Sequence, residues 1–216
     1  MRGTHARALL VGSILLTACR PSVGPQLPTP FPTPTPDHRV FNVDSTEIPL
    51  LAEELPGDTP YLLDLLTLRH NSEILTLRGE QAGREYLDKS GRVIGVVARY
   101  SPGSPNADSP LLAILVVVFK SAEGPTFLFT EKGGPCREDE SQYALQVADL
   151  GLGDRSVVCA SPAGSFWVRV HYRNVYFDVA TLGSPDPSRR LVVETAVYQL
   201  AKLHSFPLSS SVTLSP

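Results

Sequence analysis

The feature that most constrains the fold is an unbroken run of nine apolar residues, LLAILVVVF, from Leu111 to Phe119. It is too short to cross a bilayer as a helix, which takes about 20 residues. It is also rich in β-branched side chains, which favour strands. Because a strand without polar positions has no face for water, both of its faces have to be covered. The run therefore predicts a central strand buried on both sides.

Period-two patterning predicts more strands before and after this run. A short polar turn containing Gly91 separates Glu85–Leu87 from Arg92–Tyr100, which is typical of a hairpin. Apolar and polar side chains alternate again within residues 166–180, in two runs broken at Arg173-Asn174. We therefore expect one hairpin before the central strand and one after it.

Residues 59–77 leave two alternatives open. Thr59-Pro60 could begin a helix that continues to Leu66. Alternatively, Leu65–Leu68 and Ile74–Leu77 could form a hairpin. The periodicity does not decide between these two structures.

The clearest helix is predicted near the end of the chain. Asp186 can cap it and Pro187 suits its first position. Apolar residues then recur at helical spacing along one side: Leu191, Val193, Ala196, Val197, Leu200, Ala201, and Leu203 or His204. Strands grouped in runs with few helices between them predict an α+β domain, with a mainly antiparallel sheet covered by this C-terminal helix.

Proline density separates this domain from the start of the chain. Residues 20–36 read RPSVGPQLPTPFPTPTP and contain seven prolines. Each proline fixes its own φ and disfavours helix at the preceding residue, so we expect an extended polyproline II spacer. At about 3.1 Å per residue, it would hold the domain some 50 Å from its attachment point. A ligand for a proline-recognition groove is the alternative.

The first 19 residues have the pattern of an export signal. Arg2, His5 and Arg7 precede an apolar run from Ala8 to Leu16, and the segment contains no acid. The run ends in Leu16-Thr17-Ala18-Cys19, which resembles the lipobox of bacterial lipoproteins. That resemblance implies cleavage after residue 18 and a thioether-linked diacylglyceryl group on the sulfur of residue 19, usually with an added N-acyl chain such as palmitate. A plain secretory signal with an incidental cysteine is the alternative.

These features divide the chain into four predicted parts. Residues 1–18 are the signal peptide, 19–38 the lipidated cysteine and Pro/Thr-rich tether, 39–206 the extracytoplasmic domain, and 207–216 a loose serine-rich tail. Two or three acyl chains attach a protein stably to a bilayer, at about 0.8 kcal/mol per buried CH₂. We therefore expect the protein to be exported and anchored to the extracytoplasmic face of a bacterial membrane.

Three short segments are similar to a pattern in uncharacterised bacterial lipoproteins. They are Phe119-x-Ser121-Ala122-Glu123-Gly124, the LGLGD stretch at 150–154 and the YRNV stretch at 172–175. The resemblance covers about residues 85–205. It implies an extracytoplasmic α+β module and assigns no chemistry.

Cys136 and Cys159 are the two cysteines that remain besides Cys19. An oxidising exterior favours a disulfide between them. The bridge would close a loop of about two dozen residues and restrict the unfolded chain by about 3 kcal/mol. The alternative is two separate thiols, because the spacing alone does not establish the required contact distance.

Four side chains alternate onto one strand face and form a candidate ligand face: Trp167, Arg169, His171 and Arg173. Two guanidinium groups, an imidazole and an indole suit an anion, an aromatic ligand or a sugar-like ligand. The alternative is the water-exposed side of a half-buried sheet.

The remaining motifs point away from catalysis and cofactors. The histidines have no metal-ligand spacing, and the acids at 138–140 lack the turn glycines of a calcium loop. Neither G-x-S-x-G nor a phosphate-binding loop occurs. Loss of Arg2 and Arg7 with the signal takes the formal net charge from −3 to −5, so a nucleic-acid footprint is absent.

We therefore expect no metal, no cofactor, no catalytic residues and no nucleic-acid partner. The sequence favours a non-catalytic module that is attached to the membrane and binds an envelope protein, a polymer or a small ligand, or that serves in assembly. The alternative is a cell-envelope hydrolase whose site is assembled from scattered residues.

Overall fold

A computed structural model describes residues 39–58, 60–103, 110–130, 136, 145–160, 166–182 and 188–210. The chain divides after Pro36, and all described residues lie in the second unit, Asp37–Pro216. The predicted signal peptide, Cys19 and tether lie outside the described residues.

The described part holds nine strands, four helices and one 3-10 turn. The strands are β1 (Val40–Phe41), β2 (Tyr61–Arg69), β3 (Arg92–Pro102), β4 (Leu111–Phe119), β5 (Leu145–Ala148), β6 (Arg155–Ala160), β7 (Phe166–Tyr172), β8 (Val175–Leu182) and β9 (Leu208–Ser209). The helices are α1 (Asn71–Arg78), α2 (Glu80–Ser90), α3 (Thr126–Thr130) and α4 (Ser188–Ser205), and the 3-10 turn is Ala52–Glu54.

Seven of the strands form one antiparallel sheet in the order β2-β3-β4-β8-β7-β6-β5. The C-terminal helix α4 packs against β7 and β8. The predicted class, an α+β domain with a mainly antiparallel sheet and a C-terminal helix on it, is confirmed. Among the described helices, none is long and apolar enough to cross a membrane.

The apolar run at 111–119 is the interior strand that the sequence predicts. β4 lies between β3 and β8. Its even-numbered side chains, from Leu112 to Val118, are buried on the face that α4 covers. Val117 and Phe119 are buried on the opposite face, whereas Leu111 is exposed. The strand is therefore covered on both faces only in its second half.

The buried side of α4 differs from the predicted apolar stripe. Val192, Thr195, Ala196, Gln199 and Leu203 are fully buried, whereas Val197 and Ala201 are exposed. The side-chain amide of residue 199 accepts a hydrogen bond from the Leu50 amide (3.1 Å) and donates one to the Ile48 carbonyl (2.8 Å). Because these bonds satisfy the buried amide, the helix can turn a partly polar side toward the core.

The predicted hairpin across Gly91 is wrong in its first half. Glu85–Leu87 belong to α2, and only Arg92–Tyr100 lie in a strand. Gly91 takes the left-handed conformation (φ 65°) and its N–H bonds to the Leu87 carbonyl at 2.9 Å. A polar turn with glycine also ends a helix, and the structure uses it in that way.

Neither alternative for residues 59–77 is correct. Residues 61–69 form β2 rather than a helix, and residues 71–78 form α1 rather than the second strand of a hairpin. The Glu73 carboxylate accepts hydrogen bonds from the His70 amide (3.1 Å) and the Arg69 guanidinium (2.8 Å). This carboxylate at the first turn fixes the start of α1 directly after the strand.

The predicted loose tail also needs a correction, because residues 208–209 are structured. They form β9, which pairs with β1 in a separate two-stranded sheet. The pairing partners Val40 and Phe41 are both buried. The fold therefore extends past the predicted boundary at residue 206, to at least Ser209.

Candidate functional site

The predicted ligand face is divided and largely covered. Trp167, Arg169 and His171 point to the sheet face opposite α4, where Phe129 of α3 and Cys136 also pack. Trp167 and His171 are 5% and 7% exposed. The alternative of a water-exposed sheet side is therefore wrong, because segments from elsewhere in the chain cover this face.

Arg169 is paired across the strands on this face. Arg169 and Asp178 lie directly opposite each other in β7 and β8, and the Arg169 Nε to Asp178 Oδ1 distance is 3.2 Å. The Tyr176 hydroxyl donates to the same carboxylate oxygen at 2.5 Å. The Arg169 guanidinium carbon also lies 5.8 Å from the centre of the Trp167 ring. These contacts form a buried polar cluster in which Arg169 and Tyr176 both contact the Asp178 carboxylate.

Burial shifts the pKa values of two groups in this cluster. It raises the pKa of Asp178 above its usual range, although the Arg169 charge and the Tyr176 hydrogen bond both act to lower it. Burial and the nearby carboxylate raise the pKa of Tyr176 well above its usual range, so this phenol stays neutral and donates. A raised carboxyl pKa marks candidate catalytic groups as well as buried ion pairs. The Asp178 carboxylate contacts Arg169 and Tyr176, which is the arrangement of a buried ion pair.

His171 joins its strand to two loops. Its Nε2 lies 3.1 Å from the Ala122 carbonyl oxygen and 2.8 Å from the Arg173 carbonyl oxygen. Both oxygens are acceptors, so the ring carries its proton on Nε2 and donates it. The imidazole therefore fixes the β7–β8 turn to the segment after β4.

Arg173 lies apart from the other three predicted residues. It occupies the β7–β8 turn in the left-handed conformation (φ 55°). Its amide donates to Asp154 Oδ2 at 2.6 Å and its guanidinium donates to the Arg39 carbonyl at 3.0 Å. The structure therefore brings three of the four candidate residues together, and Arg173 joins the turn to the start of β1.

The two predicted cysteines meet on the same buried face. The structure joins Cys136 and Cys159 in a disulfide with their Cα atoms 5.4 Å apart, a separation that suits such a bridge. Cys159 lies directly opposite Trp167 in the β6–β7 pair. The bridge thus attaches residue 136 to the sheet beside the indole.

An open groove of about 500 Å³ lies between the 50–57 segment and the end of α4. Lys202 donates from Nζ to Glu54 Oε2 (2.7 Å) and to the Pro49 carbonyl (2.9 Å). Its cation is therefore already neutralised within the chain. Among the described residues, no group of three or more histidine, cysteine or acidic side chains is placed to hold a metal ion.

A different surface, which the sequence analysis did not single out, exposes a row of leucines. β2 is an end strand of the seven-stranded order, and no described strand pairs with its outer edge. Five of its side chains are between 36% and 59% exposed: Leu62, Leu63, Leu65, Leu66 and Leu68. We call this surface the leucine edge. Half of the exposed large hydrophobic side chains of the described residues lie in it.

The leucine edge presents apolar side chains on both sides of the sheet. Leu66 pairs with Ala98 and Leu68 with Val96, so these two leucines lie on the same face of the sheet as the α4-side core. Leu65 pairs with Arg99 on the opposite face. A strand whose leucines face solvent on both sides has no in-and-out alternation, so the sequence carried no period-two signal for it.

Comparisons with known proteins add little to this geometry. No family model matches the chain, and no curated protein does. Among solved structures, it is similar to the crystal structure of the extracellular domain of PknH from Mycobacterium tuberculosis, with 15% identity, 76% of this chain and 97% of that chain covered, and a TM-score of 0.43. The fold and the exposed surface define an α+β domain with an open apolar sheet edge.

Proposed function

We propose that this chain is a lipid-anchored extracytoplasmic protein whose domain binds another protein through the leucine edge. The observation that carries this proposal is the row of five exposed leucines on β2. Natural proteins usually shorten, charge or cover an edge strand, because open backbone groups there pair with other chains. A nine-residue edge with this composition is typical of a binding surface.

The size of the apolar surface supports the proposal. Burying a leucine completely stabilises a protein by about 1.5–3 kcal/mol. Added together, the exposed fractions of these five side chains correspond to slightly more than two fully exposed leucines. Covering them would contribute roughly 3–7 kcal/mol before the costs of association.

A protein partner fits this edge better than a polymer or a small ligand. An extended peptide can add a strand, so that its backbone bonds to the open edge while its side chains contact the leucines. A glycan lacks such a backbone, and a small molecule is held best in a concave site. The buried polar cluster around Asp178 takes no part in this proposal, and the hydrolase alternative stays a prediction for an activity screen to test.

The first test replaces one leucine of the edge. In Leu66→Lys, a charge would have to be buried at the contact, so we expect capture of the partner from solubilised membranes to fall at least about tenfold, equivalent to 1.4 kcal/mol. Val197→Lys on α4 is the matched control, because Val197 is 44% exposed and Leu66 is 43% exposed. Equal capture by both variants would contradict the proposal.

The anchor is tested separately. Cys19→Ala removes the sulfur that would carry the lipid, so the protein should leave the membrane fraction or remain unprocessed. Ser22→Ala, three residues further on, should remain membrane-bound and correctly processed. A mass spectrum of the native protein should show lipid on residue 19. Finding that mature wild-type protein is freely soluble would overturn the anchor and leave the role of the leucine edge intact.

A further inference from the structure

We propose, resting on the function proposed above, that the partner of the leucine edge is a second copy of this chain, which adds its own β2 antiparallel to the first. The interface would be a two-fold contact in which the same surface meets itself. Three properties of β2 carry this inference: its charged groups, the regularity of its pairing with β3, and its exposed area.

The charged groups of β2 are neutralised within the chain. Asp64 Oδ2 lies 2.8 Å from an Arg99 guanidinium nitrogen, and Arg69 Nη1 lies 2.8 Å from Glu73 Oε2. The stretch between them, Leu65–Leu68, carries no charge. A fitting partner strand is therefore neutral and apolar at its centre, and β2 of another copy has that composition.

The backbone favours one register for this contact. The β2–β3 ladder is irregular between Leu63 and Leu65 and regular from Leu65 to Arg69. A two-fold axis at Thr67 would pair the regular stretches of the two copies. It would place Leu66 of each copy opposite Leu68 of the other, on the face where both leucines are exposed. Four leucines would then cover one another around the axis.

The exposed area of β2 suits a weak contact between copies that are anchored in the same membrane. A stable interface buries about 800 Å² on each partner. In this register Leu63 and Leu62 lie opposite residues 71 and 72 of α1, outside the paired strands, so the contact offers less than that and free copies should associate weakly. Anchored copies reach a much higher effective concentration, on the order of millimolar for linked partners, and this favours a weak contact.

The test is disulfide trapping in membranes that contain the full-length protein. With Cys136 and Cys159 bridged and Cys19 lipidated, a cysteine introduced on β2 supplies the reactive thiol. Thr67→Cys would lie opposite its own counterpart, with Cβ atoms about 4.5–5.5 Å apart. Mild oxidation should give at least about fivefold more covalent dimer than with Leu77→Cys on α1, which is 74% exposed.

Neighbouring positions define the register. Leu66→Cys should cross-link less than Thr67→Cys, because its counterpart would lie on the diagonal at about 7–8 Å. Adding Leu66→Lys to Thr67→Cys should abolish the dimer, whereas adding Val197→Lys should not. Two differently tagged wild-type copies should also co-purify from the same membranes, which gives a measurement that does not depend on an engineered thiol.

Equal cross-linking of Thr67→Cys and Leu77→Cys, together with no co-purification of tagged copies, overturns the second copy as partner. If Leu66→Lys then still abolishes capture of a different protein, the binding function stands and only this inference fails. If Leu66→Lys changes no association at all, the proposed function fails with it.

Discussion

Asn174→Ala is expected to lower the free energy of unfolding by about 3 kcal/mol or more, the largest effect of a single substitution that we predict. Asn174 is fully buried at the β7–β8 turn. Its Oδ1 accepts from the Phe41 amide (2.7 Å), and its Nδ2 donates to the carbonyls of Phe41 (3.1 Å) and Phe119 (2.9 Å). Alanine would leave one buried donor and two buried acceptors without these bonds, at about 1–3 kcal/mol each.

The effect should be large because this one amide joins β1, β4 and the turn. The experiment is urea unfolding of the variant beside Glu47→Ala, which truncates an exposed side chain a few residues after Phe41 and should change stability by less than about 0.5 kcal/mol. If Asn174→Ala costs less than about 1 kcal/mol, the amide does not hold β1 to the sheet.

The parts of the fold that could be predicted have long, unambiguous patterns. β4 followed from nine apolar residues in a row, and β7 and β8 followed from strict alternation around Arg173-Asn174. Both patterns indicate strands, because the side chains of a strand point alternately to its two faces. The sequence could not show that Arg173 takes a left-handed conformation, or that the next side chain bonds to β1 more than 130 residues away.

The errors lie where a short segment suits two structures. The polar turn around Gly91 can end a helix or join two strands, and only the packing of α2 and β3 decides between them. The leucines of β2 were ambiguous for a different reason, because the strand breaks the rule that apolar side chains point inward. An exposed apolar surface cannot be recognised from one sequence until the partner strands are known.

The candidate ligand face shows the same limit. The alternation correctly placed Trp167, Arg169 and His171 on one side of β7. Whether that side meets water depended on Phe129, Cys136 and the Ala122 carbonyl, which come from other parts of the chain. The sequence thus indicates which side chains share a face, whereas tertiary contacts determine what the face can do.

Removing the disulfide is the second change with a large expected effect. The Cys136→Ala/Cys159→Ala double variant should have a free energy of unfolding about 3 kcal/mol lower than wild type, because the bridge closes a loop across 23 positions and restricts the unfolded chain. For a domain of this size, that corresponds to a fall in Tm of roughly 6–12 °C. Scanning calorimetry in the absence of reductant checks this value, with reduced wild-type protein as the second arm.

A spectroscopic signal tests whether the bridge lies where the structure places it. Trp167 is the one tryptophan of the chain, and it lies directly opposite Cys159 across the β6–β7 pair. A disulfide next to an indole quenches its fluorescence by accepting an electron from the excited ring. Reduction of wild-type protein should therefore raise the emission intensity, and the double variant should show no response to reductant.

Together these measurements separate a bridge from two buried thiols. If the thiols are free, the oxidised protein gains nothing from loop closure, so reductant should leave both the melting temperature and the emission unchanged. If the bridge exists, the free energies of unfolding of reduced wild-type protein and of the double variant should agree within about 1 kcal/mol, because both lack the cross-link and differ only in two buried sulfurs. A fall in stability without a change in Trp167 emission would contradict the attachment of residue 136 beside the indole.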